Sequence, residues 1–172
     1  LFCAVDLDDD GWSQCMGSAA ASFNEDISAW DTSGVTMMAR MFYKALSFNQ
    51  PLSGWQVDKV TNMNFMFSEA SAFNQDIGDW ALDSVTYMQW MFADASAFDQ
   101  DLGWCVGDDV LQVGAFDDTQ CVSTSCGVAW AAAVRCGGNG RATIDDDTIR
   151  TAVGHWVATP GAAEATYGHI ST

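Results

Sequence analysis

The chain has 172 residues, enough for one compact domain or one short repeat array with end segments; 49% are hydrophobic and 17% charged, which excludes a disordered chain. Its 23 acidic residues against 6 Lys and Arg give a formal net charge of −17. Such a surface repels phosphate backbones and anionic headgroups, which argues against nucleic acid and membrane surfaces and leaves cations, basic proteins and neutral glycans as partners.

Residues 1–22 read as an N-terminal capping segment that contains an acidic loop. Asp6, Asp8 and Asp10, followed by Gly11, match the first half of a calcium loop, where carboxylate oxygens converge on a hard cation. The ninth and twelfth loop positions are Gln14 and Gly17, so the competing reading is a solvated acidic loop. Calcium is the one cofactor the sequence brings forward.

From Phe23 to Trp104 the chain repeats every 25 residues. Phe23, Phe48, Phe73 and Phe98 align, followed by Asn24, Asn49, Asn74 and Asp99, and then by Glu25, Gln50, Gln75 and Gln100. Ile27, Leu52, Ile77 and Leu102 form the next column, and Trp30, Trp55, Trp80 and, after a one-residue deletion, Trp104 the one after it. Val-Thr pairs at Val35, Val60 and Val85 precede four further columns, headed by Met38, Met41, Phe42 and Ala45. The polar column is expected to hydrogen-bond backbone groups at a turn, and the tryptophans to pack inward.

Within one unit, Met63, Met66, Phe67 and Ala70 fall at helical spacing with Thr61 placed as an N-cap, so the periodicity predicts a short helix. The stretch from Phe73 to Trp80 predicts a brief strand around Asp76–Gly78. The expected fold class is therefore α/β, a leucine-rich-repeat-like right-handed solenoid of short strands and short helices with disulfide-bonded caps.

Residues 105–136 read as a degenerate repeat and a cysteine-rich cap. None of the six cysteines lies in a Cys-x-x-Cys pair, which disfavours zinc and favours disulfides in an oxidising compartment. The pairing read from proximity is Cys3–Cys15, Cys105–Cys121 and Cys126–Cys136, although spacing alone leaves connectivity open. Residues 137–172 hold a Gly-rich linker, Gly137 to Gly140, and then an amphipathic helix opened by Asp145, Asp146 and Asp147 and carrying Ile149, Ala152, Val153, Trp156 and Val157. Leu1-Phe2 matches Met41-Phe42 and Ile170-Ser171 matches Ile27-Ser28, so the chain is expected to be one block of a longer tandem array.

The unit Phe48-Asn49-Gln50-Pro51-Leu52-Ser53-x-Trp55, followed by Val60-Thr61-x-Met63-x-x-Met66-Phe67-x-x-Ala70, resembles the repeat of BspA-like surface proteins. The resemblance implies a leucine-rich-repeat type of coil on a secreted or cell-surface protein engaged in adhesion, and it brings no catalytic residues. His155 and His169 have no Ser or Cys arrangement of triad character near them, and no nucleophile, base and orienting group stand together. The expected role is thus a non-enzymatic interaction module for a protein or glycan; the alternative is a building block of an extracellular filament, with neighbouring copies as partners. Specificity would lie in the variable positions Asp26, Pro51 and Asp76, in Ala29, Gly54 and Asp79, and in Phe65 and Trp90. Asp108, Asp109, Asp117 and Asp118 are a further acidic group that could hold a cation or simply be solvated.

Overall fold

The computed structural model describes the backbone of residues 6–7, 13–14, 18–121, 126–130, 135–136 and 142–143, and side chains within 20–121 and 126–129. The predicted calcium loop, the Cys3–Cys15 pair, the Gly-rich linker, the amphipathic helix and both histidines lie outside the described residues, apart from the backbone of Asp6, Leu7, Ser13 and Gln14 in the loop.

Four units of the repeat, residues 23–47, 48–72, 73–97 and 98–121, lie one against the next. Single parallel bridges join Met37 to Asn62, Asn62 to Tyr87 and Tyr87 to Leu111. From each bridge onward every second residue hydrogen-bonds the neighbouring unit. Met38, Arg40, Phe42 and Lys44 donate their N–H groups to the carbonyls of Asn62, Asn64, Met66 and Ser68 at 2.9–3.0 Å. Met63, Phe65, Phe67 and Glu69 repeat the pattern onto Tyr87, Gln89, Met91 and Ala93. Met88, Trp90, Phe92 and Asp94 continue it onto Leu111, Val113, Ala115 and Asp117.

The residues in between close turns within their own unit: Met66 N–H donates to the Met63 carbonyl and Ala70 N–H to the Phe67 carbonyl. The predicted helix at Met63–Ala70 is therefore replaced by consecutive turns. Phe65 and Glu69 have φ of 57° and 59°, left-handed values that no α-helix contains, and the same pair recurs at Arg40 and Lys44 and at Trp90 and Asp94. Two successive four-residue turns place apolar residues at the same i, i+3, i+4 and i+7 positions as a helix does, so the spacing alone does not separate them.

The predicted strand at Asp76–Gly78 is likewise absent; there Gly78 N–H donates to Asp76 Oδ1 in a tight loop, and the inter-unit pairing sits at Asn62 instead. The α/β leucine-rich-repeat-like right-handed solenoid of strands and helices is corrected accordingly. Among the described residues the one helix is α1, Ser18–Ala21. The strands are two residues long: β1 (Asp6–Leu7) pairs antiparallel with β2 (Ser13–Gln14), β3 (Cys105–Val106) parallel with β4 (Ala129–Trp130), and β5 (Arg135–Cys136) antiparallel with β6 (Ala142–Thr143).

The cap disulfides are corrected as well. Cys121 bonds Cys126, which rules out both Cys105–Cys121 and Cys126–Cys136; Cys105 is itself disulfide-bonded. The bond closes a short loop that returns residues 126–129 to the fourth unit, where Leu102 N–H donates to the Cys126 carbonyl and Ala129 N–H to the Trp104 carbonyl.

Between the turns and the loops runs an aromatic core. Phe23, Phe48, Phe73 and Phe98 stack at centroid spacings of 5.7–6.0 Å. A second column, Phe42, Phe67, Phe92 and Phe116, stacks at 5.3–5.6 Å and meets the first at about 4 Å, as at Phe67 and Phe73. Trp55, Trp80 and Trp104 are buried, and each donates its indole N–H to the carbonyl of the Ile/Leu column in the preceding unit, Ile27, Leu52 and Ile77 respectively. Trp30, 39% exposed, stacks on Trp55 from the first unit.

Candidate interaction surface

Side chains at the bridge positions point away from this core, because the next residue, Met38, Met63 or Met88, points into it and successive side chains of extended backbone alternate. Two of the four bridge residues at the far end are large and apolar. Tyr87 is 41% exposed and Leu111 48%, and the bridge between them sets them side by side. Beside them Trp90, 36% exposed, donates its N–H to the carbonyl of Val113, which is 64% exposed. Tyr87, Trp90, Leu111 and Val113 thus make one apolar strip across the third and fourth units. Scattered exposed hydrophobics are ordinary on a folded surface; four on neighbouring positions make this strip the candidate site.

The column containing Phe65 and Trp90 is itself a stack along the units. The Arg40 guanidinium carbon lies 5.1 Å from the Phe65 centroid, and the Phe65 and Trp90 rings stack at 5.0 Å with a 16° interplanar angle. Gly114 comes next: a Cβ there would stand 2.5 Å from Trp90 Cδ1 and 2.6 Å from Nε1. With Phe65 and Gly114 against it, Trp90 presents an edge rather than an open ring face.

Asp26, Pro51, Asp76, Ala29, Gly54 and Asp79 are all exposed, but they belong to the loops ahead of the Trp column, a different part of each unit from Phe65 and Trp90. The structure therefore splits the predicted face in two. In the loop group, Asp26 Oδ1 accepts from Ser28 N–H and Asp76 Oδ1 from Gly78 N–H, so these carboxylates shape their own turns. The hydrogen bonds from Ser28 hold the Asp26 carboxyl below the usual carboxylate range, and those from Ser33 do the same for Asp31.

The Asn-Gln columns form a ladder on the outside. Asn49 Oδ1 accepts from Asn74 N–H and from the Gln75 side-chain amide, and Asn24 and Asn74 do the same for their own neighbours. These amides are engaged along the stack. Among the described residues no group of three His, Cys, Asp or Glu could hold a metal ion, and no helix is long and apolar enough to cross a membrane.

Tyr87, Leu111 and Val113 escape a search for conserved-looking columns. Their signal is different: the bridge column reads Met37, Asn62, Tyr87 and Leu111, and a position that accepts Asn62 faces water, so apolar residues in it are candidates for contact.

Stacked units built of turns, with apolar side chains outward at one end, define a tandem-repeat protein with an exposed apolar strip. The model of the Mycoplasma protein family of unknown function DUF285 matches residues 13–122, and the chain belongs to that family. No curated protein and no solved structure matches the chain.

Proposed function

We propose that the chain is a non-enzymatic interaction module of a secreted or cell-surface protein and that it binds a protein partner through the outer face of its stacked units. The observation that carries this reading is the strip formed by Tyr87, Trp90, Leu111 and Val113, which is apolar and exposed in an otherwise acidic chain. A protein partner is favoured over a glycan because the Trp90 ring is covered by Phe65 on one side and approached by Gly114, whereas sugars bind to open ring faces. Disulfide chemistry supports an oxidising compartment. The likeness of the Phe-Asn-Gln, Trp and Val-Thr-x-Met pattern to the BspA-like surface-protein repeat points the same way.

The test is an array of immobilised extracellular proteins and glycans probed with the chain and with a Leu111→Ser/Val113→Ser variant, each with and without calcium. Capture by a protein, lost in the variant, is the expected result. Capture by glycans alone, or capture that the variant leaves unchanged, would refute binding through this face.

A further inference from the structure

We propose that the stretch of the fourth unit from Leu111 to Gly114, beyond the part that pairs with residues 126–130, docks an extended segment of a partner protein, apolar in its middle and basic at its flanks; this rests on the interaction-module reading and gives it a site. Three observations converge on it. The first is the apolar strip just described.

The second is a pair of backbone donors that no described residue uses. The carbonyls of Leu111 and Val113 accept from Met88 and Trp90 in the third unit. In a trans peptide the N–H points opposite to the C=O, so the N–H groups of Gln112 and Gly114 project off the far side of the fourth unit. In the first three units the corresponding donors, such as Met63 and Phe65, are taken by the next unit; those of Gln112 and Gly114 have no acceptor among the described residues. Two donors two residues apart, facing the same way, match the carbonyl spacing of an added strand. Alternate side chains of that strand would fall beside Leu111 and Val113, extending the apolar strip by one more row.

The third is charge. Asp108 and Asp109 precede the strip and Asp117 and Asp118 follow it, all exposed, with Asp83 and Asp94 at the matching places of the third unit. No Lys or Arg occurs between Lys59 and Arg135. In the outer left-handed column Lys44 pairs with Glu69 at 3.5 Å, while Asp94 and Asp118 further along have no ion pair among the described residues. A segment with Lys or Arg at both ends meets carboxylates at both ends, and it approaches a surface that repels acidic competitors. A second copy of this chain, at −17, is disfavoured by the same field.

The probe is a synthetic peptide of alternating Val and Thr with paired lysines at both ends, titrated by fluorescence anisotropy. Two controls accompany it, one with Ser for every Val and one with Glu for every Lys. The Lys-flanked Val-Thr peptide is expected to bind at least about tenfold tighter than either control, since each loses one of the two contributions. Its binding should slow amide exchange at Gln112 and Gly114 and weaken as salt is raised.

Leu111→Ser/Val113→Ser should reduce affinity for the Val-Thr peptide to that for the Ser control. Asp117→Asn/Asp118→Asn, at exposed positions with little bearing on folding, should flatten the salt dependence. Equal affinity for the Ser control, or unchanged exchange at Gln112 and Gly114, overturns the proposal in favour of unspecific attraction to a polyanion. Absent peptide binding by a chain that still captures a protein on the array sinks this site and leaves the module reading standing. If both are absent, both fall.

Discussion

Asp31 Oδ1 accepts from both the hydroxyl and the N–H of Ser33, at 2.6 and 3.0 Å, and its carboxyl, like that of Asp26, is held below the usual range by its serine partner. A carboxylate depressed in the folded state contributes stability that is fully present above its unfolded pKa and is lost as pH falls through its folded value. The melting temperature of the wild type should therefore fall more steeply than that of Asp31→Asn as pH is lowered below about 4. Parallel curves would show that the Asp31 turn adds nothing to folding. Gly114 tests backbone geometry in the same way. Its φ of 65° and its closeness to Trp90 leave no room for a side chain. Gly114→Ala should lower stability by about 1–2 kcal/mol and shift the Trp90 indole resonance in proton–nitrogen spectra. An unmoved resonance would show that Trp90 does not rest on Gly114.

Two kinds of side-chain hydrogen bond join one unit to the next, and they should differ in weight. The Trp80 indole donates to the Leu52 carbonyl at 3.1 Å in the buried core, so Trp80→Phe leaves that carbonyl without its partner and should cost about 1–3 kcal/mol by chemical denaturation. The Asn49 side chain serves Asn74 and Gln75 at the exposed edge, where water can replace it; Asn49→Ala should cost only about 0.5–1.5 kcal/mol. The reverse order would mean that the ladder, not the tryptophan column, ties the units together. The identity of the inward residues was legible in the chain, because Met63, Met66, Phe67 and Ala70 recur every 25 residues. Their conformation was not. Two turns and one short helix bury the same stripe, and what separates them is the destination of the Phe65, Phe67 and Glu69 N–H groups, which lies in another unit.

Among the four described units each contacts those beside it, and a central residue therefore belongs to two interfaces at once. Phe67 stacks on Phe42 on one side and Phe92 on the other, so Phe67→Ala should cost about 3–5 kcal/mol and lower the whole melting transition without splitting it. A biphasic melt would show that the units unfold separately. The Cys121–Cys126 bond acts at the end. Closing so short a loop, it should contribute about 2 kcal/mol through chain entropy, measured as the stability lost in Cys121→Ala/Cys126→Ala.

By itself the sequence determined the period, the inward columns and the polar ladder, because burial and amide pairing leave a mark in every unit. It also determined that Phe65 and Trp90 stand apart from those columns. Only the tertiary structure decided that turns replace the helices, that Cys121 bonds Cys126, and that Tyr87, Leu111 and Val113 join Trp90 in one strip while the Asp26, Pro51 and Asp76 loops lie elsewhere. Each of these depends on which atoms of one unit face the next, and the spacing of residue types along a single chain does not contain that information.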